Sequence, residues 1–169
     1  MRGRILIAFF LGAWVGGTLF MWAMATQNFR VVDRLLASPS PELRQHHSPL
    51  APGEARLLMR HQGSEVNRLL FDRWGWMQLG LGLILVWLTF RSTPDHWLRI
   101  TILLMALIAA GLQFAVVPET VRLGRLLDFA PRSPAPPEVA PFWRFHNAYT
   151  ALDALKLLLG VFGAARLLR

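Results

Sequence analysis

Four apolar runs, at about 5–26, 74–90, 98–117 and 145–166, divide this chain of 169 residues. Each approaches the roughly 20 residues that an α-helix needs to cross the hydrocarbon core of a bilayer. Backbone N–H and C=O groups in hydrocarbon must bond one another, so such runs predict helices. The expected fold is all-α: one domain, a four-helix transmembrane bundle with short amphipathic helices in the first loop. The borders fit this reading. Arg2 and Arg4 precede the first run, and Arg73 and Arg91 bracket the second. Trp74 and Trp76 are placed as an aromatic belt, and Arg99, near the end of the third run, is expected to snorkel to the headgroups.

The first run competes with a signal peptide, since Ala23-Met24-Ala25 resembles a cleavage site. It is longer than the usual signal core of about 7–15 residues, so a retained helix is expected. It holds a GxxxG, Gly12 to Gly16, which permits close helix approach. Gly160 and Ala164 offer a second small-residue face on the last helix. These two faces predict self-association or a membrane partner.

The connections are expected to be unequal. Apolar positions Phe29, Val32 and Leu35 carry the first helix on past the membrane. Residues 38–53 contain four prolines and His46-His47, and read as a solvated loop. Residues 54–62 and 64–73 read as two short amphipathic helices, the second capped by Ser64. Pro94 marks a tight turn, and Pro118 should kink or end the third helix. Beyond it, Glu119–Arg122 and Arg125–Asp128 are spaced to pair. Residues 130–141 hold five prolines and read as loop, with the last helix running from near Pro141 to Leu168.

Net charge is +8, and all but one of the 18 basic residues are arginine. They flank apolar runs and form no nucleic-acid signature, so membrane lipids with anionic headgroups are the expected partner, not nucleic acid. There is no cysteine, which excludes disulfides and thiolate metal sites. No Walker loop, GxGxxG, HExxH or nucleophile–base pattern occurs. The expectation is therefore a protein that is not an enzyme and has no cofactor and no bound metal. Met21 and Met24 offer thioethers to Cu(I), but packing explains them more simply.

The last run carries polar residues at helical spacing: His146, Tyr149, Thr150, Asp153 and Lys156. Ionisable groups within membrane helices are costly and mark sites by default. Asp153 and Lys156 are three apart and can pair. Thr18, Gln78 and Gln113 are the expected facing partners from the other helices. His146 and Asp153 are both expected to face the bundle interior. Helix registration is the first reading of this stripe, and a proton or cation site the second.

Four short motifs lie in order along the chain. They are Trp14-Val15-Gly16-Gly17 with Phe20; Phe71-Asp72-Arg73-Trp74 with Leu79-Gly80; Val117-Pro118 with Arg122; and Phe145-His146 with Asp153. Together they resemble the transmembrane-protein-205-like domain of unknown function, a family of four-helix membrane proteins. In that family the last helix carries a histidine, then a small hydroxyl residue, then asparagine seven after the histidine. Here Tyr149 stands at the hydroxyl position, beside Thr150, and Asp153 replaces the asparagine. The family is loosely similar in architecture to D-type copper-resistance membrane proteins, which implies metal tolerance.

The function expected is thus a non-enzymatic polytopic membrane protein that handles a small solute or a metal. The alternative is a membrane redox protein holding haem b through His146. The expected location is a bacterial inner (cytoplasmic) membrane with both termini on the cytoplasmic face. Raw counting opposes that orientation: six arginines (Arg2, Arg4, Arg91, Arg99, Arg166, Arg169) lie on the terminal side and eleven on the other. Many of the eleven lie on segments expected at the interface, and a short arginine-bearing tail is hard to translocate.

Overall fold

The computed structural model describes residues 2–47, 50–51, 53–131 and 133–168. The side chains of His46 and His47, with Arg132 and Arg169, lie outside the described residues. Among the described residues there are helices and no strands. α1 is Arg2–Ala37, α2 Pro41–His47, α3 Glu54–Ser92, α4 His96–Gly111, α5 Val117–Leu127 and α6 Val139–Leu167. A π-helical turn, Leu112–Val116, joins α4 to α5 without a break. Four helical stretches are long and apolar enough to cross a membrane: α1, α3, the α4–α5 rod and α6. The molecule is a four-helix membrane bundle in which α1 packs on α3, α3 on α4, α4 on α6, and α6 closes back on α1. Arg4 donates to the Leu167 carbonyl at 2.5 Å, so the two chain ends meet at one end of the bundle.

The exterior, not the core, departs from that of a water-soluble protein. Phe9, Phe20, Leu83, Trp87, Leu107 and Leu158 are exposed on the outside. Inside, Ile7, Leu11, Trp14, Leu85, Leu98, Ile102 and Met105 share the core with Thr18, Gln78, Gln113, Asp153 and Lys156. An apolar exterior of this kind suits a lipid surround, and inside, polar groups bond one another across helices.

At 1.5 Å per residue, α1 and α3 are each about 55 Å long, against a hydrocarbon core of about 30 Å. Their free ends run on together as a stalk. Asn28 donates to Asn67, Asn67 donates to the Ala25 carbonyl, and Arg56 pairs with Asp33. The two short helices expected at 54–62 and 64–73 are one helix here, and Ser64 is interior to it, not a cap. Gly63 explains the continuity. Phe29 and Val32 of α1 lie 3.7–3.9 Å from where its Cβ would stand, so the glycine admits α1, and packing offsets its cost of about 1 kcal/mol in a helix. The loop expected at 38–53 also contains a helix: Ser40 Oγ accepts from the Leu43 N–H and Pro41 opens α2.

Pro118 neither ends the third span nor breaks it. Proline has no N–H and its ring crowds the carbonyl four residues back. The preceding π-turn widens the helix, with the Val117 N–H reaching the Leu112 carbonyl, and α5 continues. Trp74 is not in an aromatic belt. It is 6% exposed and its ring fills the place of a side chain at Gly17. Trp76, by contrast, faces outward.

Asp95 caps α4 by accepting from the Leu98 N–H, and binds Arg166 of α6. These two interactions, the cap first, hold its carboxyl below the usual value of 3.8. Arg99 does not simply reach out: it donates to the Thr93 and Phe90 carbonyls and lies over the Phe90 ring, closing the end of α3.

Candidate functional site

The polar residues of the last span sort into a buried centre and a cavity wall. On α6, Asp153 and Lys156 are one turn apart and share a face. Both are 1% exposed or less. Lys156 Nζ donates to Asp153 and to Gln78 Oε1 of α3. On α1, residues four apart line up, and Trp14 and Trp22 reach the same centre. Trp14 Nε1 donates to Gln78 Oε1 at 2.9 Å, and Trp22 Nε1 donates to Asp153 Oδ2 at 2.6 Å. Three helices therefore meet on one neutral pair of charges. The pair balances the insertion cost of an isolated aspartate, about 2.5–3.5 kcal/mol on insertion scales.

Close approach here depends on glycine. A Cβ at Gly160 would stand 2.6 Å from Val15, and one at Gly82 would stand 3.3 Å from the Trp14 ring. Gly160 is thus spent on α1 within the chain and does not form a free association face. Gly12 and Gly16 do face outward, with nothing near them. Ala164 is exposed. Met21 is in the core and Met24 is half-buried.

Of the facing partners expected for Asp153, only Gln78 joins the centre. Thr18 is buried, but its hydroxyl donates to the Trp14 carbonyl of its own helix. Gln113 turns to Asp72, donating at 3.3 Å. Each helix's rotation about its own axis decides these choices. The Trp14 and Trp22 donors lie outside the partners expected from sequence; their signal is a spacing of eight, with Thr18 midway.

His146 does not share the interior with Asp153. It is exposed, stacked on Phe142 with ring centres 5.7 Å apart and edge-on to Trp143. Thr150 is exposed too, and its hydroxyl donates to the His146 carbonyl. Tyr149 is half-buried and edge-on to Phe71, one turn from Asp153. His146 and Tyr149 line a cavity of about 170 Å³ between α3, α5 and α6, closed on the α1 side by Phe29. Its surface is mainly apolar, with Ser64, Asn67, Arg68 and Thr120 as further polar groups. Gly124 keeps it open: a Cβ there would stand 3.0 Å from Arg68 Nη2 and 3.3 Å from Phe142.

Beside the cavity is a charged cluster. Arg68 donates to both oxygens of Asp128, at 2.7 and 2.8 Å, and to Glu65 at 2.6 Å. His61 Nδ1 is 2.8 Å from Asp128, and Arg125 donates to Glu65 at 3.1 Å. The Arg125–Asp128 pair expected from spacing is replaced by these cross-helix pairs, whereas Glu119–Arg122 forms. His61, Glu65 and Asp128 bring ligand atoms within 4.8 Å of one another. Two guanidinium groups already neutralise these carboxylates, so the cluster suits an ion-pair clamp between α3 and α5 better than a cation. Bis-histidine haem needs a second, facing histidine. Among the described residues, His146 is the one histidine lining the cavity.

Searches against protein-family models, characterised proteins and solved structures find no match.

Proposed function

We propose that this protein is a non-enzymatic membrane protein that binds a small, largely apolar solute in the cavity beneath Gly124. The observation that carries the reading is the cavity itself: mainly apolar walls, a few converging polar groups and a volume of about 170 Å³. An apolar cavity of about 150 Å³ holds a molecule the size of benzene, so one aromatic ring with a polar substituent is the class of solute that fits. The buried Asp153–Lys156 centre has the structural task of fixing α1, α3 and α6 beside the cavity. Handling such a solute in a bacterial cytoplasmic membrane, with both termini inside, completes the reading. Membership of the transmembrane-protein-205-like family belongs to the same proposal and rests on the ordered motifs.

The test is ¹⁹F NMR of 4-fluorophenol titrated into the purified full chain in maltoside micelles. Saturable binding is expected, and Gly124→Leu, which fills the cavity, should abolish it while the protein stays monodisperse. Equal binding to wild type and Gly124→Leu would overturn the reading.

A further inference from the structure

A second recess adjoins the first across Arg68, Val117 and Val121, where the π-turn faces α3. It measures about 520 Å³ and is lined by Asp72, Trp76, Gln113 and Phe114, by the ion-paired Glu65, Arg68 and Arg125, and by apolar walls that include Leu69 and Val121. The π-turn supplies Gln113 and Phe114. Such turns inside α-helices are frequent at functional sites.

Asp72 is the telling residue. It is half-buried near the end of the second apolar run. Gln113 Nε2 donates to its Oδ1, and no cation pairs with it among the described residues. Oδ2 accepts no hydrogen bond among the described residues. The arginines nearby are committed: Arg68 to Asp128 and Glu65, and Arg125 to Glu65. Arg73 is next in sequence and turned about 100° away on the helix. Gly75 makes the arrangement possible, since Gln113 occupies the place its side chain would take. Gln113 is 94% buried by its 6% exposure, and its Oε1 has no hydrogen-bond partner. Trp76, one turn along α3 from Asp72, and Phe114 of the π-turn line the same recess, edge-to-face with ring centres 5.7 Å apart.

We infer that this recess binds an organic ammonium group carried on an apolar chain. The Asp72 carboxylate supplies the counter-charge. Trp76, the strongest ring for a cation, supplies a π face. Leu69 and Val121 take the alkyl part. The chemistry does not suit a hard metal ion, which needs several oxygen ligands where this site has one free carboxylate oxygen. It does not suit an anion, because both guanidinium groups are already neutralised. The ammonium can come from a lipid headgroup or from a free cationic amphiphile.

Calorimetric titration separates these sources and tests the site. Hexyltrimethylammonium is titrated into the full chain in maltoside micelles, against protein-free micelles as blank. Saturable binding is expected, with hexanol and hexyl sulfate binding at least tenfold more weakly. Asp72→Asn should lower affinity tenfold or more. Trp76→Leu, an outward-facing position with little bearing on folding, should lower it several-fold. Adding phosphatidylethanolamine to the micelles then distinguishes the sources. Competition identifies the headgroup as the occupant in the membrane, and its absence identifies a free cation; both outcomes support the site. Wild-type affinity in both variants, or equal binding of hexanol, would overturn the inference.

Discussion

The molecule holds ion pairs in two contrasting settings. At the centre, Asp153 and Lys156 are sealed from solvent, and every polar contact they make comes from a helix fixed in place by apolar packing. At the end of the bundle, Arg68, Asp128, Glu65, His61 and Arg125 share charges across a partly open surface. The first setting has no water to fall back on, so losing one partner leaves a bare charge. The second can be rescued by water and by its own redundancy. The same kind of interaction should therefore differ several-fold in its effect on stability.

The largest effect is expected at the centre. Lys156→Met leaves the Asp153 carboxylate unpaired, and Asp153→Leu strands the ammonium. Each should cost about 3–5 kcal/mol, read by unfolding in mixed micelles. Asp153→Asn keeps an acceptor for Trp22 but removes the counter-charge, and should fall below that range. A neutral outcome for all three would erase the contrast between the two settings.

Next comes the packing that seals the centre. Gly17→Leu drives a side chain into the space held by the Trp74 ring. Overpacking of this kind costs about 1–3 kcal/mol and should lower the unfolding midpoint. Gly16→Leu, one position away and open to lipid, serves as the control and should change little.

At the clamp, Arg68→Gln should cost about 1.5–3 kcal/mol at most, the range for hydrogen bonds to charged groups, with solvent access pulling it to the low end. The expected sign of the contrast is a smaller loss than for Lys156→Met in the same assay.

The smallest effect concerns pH. The Asp95 carboxyl is held below 3.8 by its cap on Leu98 and by Arg166. A depressed folded value means that its contribution is present above the ordinary carboxylate value and is lost as pH falls through the lower folded value. Asp95→Asn should flatten the acid limb of the stability profile below about pH 4 and leave neutral pH nearly unchanged, since Asn still caps α4.

What the sequence made legible follows from periodicity. Four apolar runs give four helices, and Asp153 with Lys156 at a spacing of three gives one face and one pair. Spacing within a helix carries that information. Spacing cannot say which of Thr18, Gln78 and Gln113 meets the pair, because that depends on how each helix is rotated against its neighbours. It also cannot separate His146 from Asp153: seven residues apart they share a face to within about 20°, and His146 is exposed because it lies two turns nearer the helix start, where that face borders the cavity. At Gly63-Ser64 a glycine before a capping residue looks like a break, but packing against Phe29 and Val32 carries the helix through. The π-turn before Pro118 leaves no local signature beyond the proline itself.

The central claim is that Asp153 and Lys156 form one sealed, mutually dependent pair. A double-mutant cycle tests it directly, with Asp153→Leu, Lys156→Met and the double variant unfolded in the same micelles. Replacing both charges by apolar side chains removes the stranded charge that makes each single change costly. The double variant should be more stable than either single variant, with a coupling of several kcal/mol. Additive losses, leaving the double variant less stable than both singles, would contradict the account.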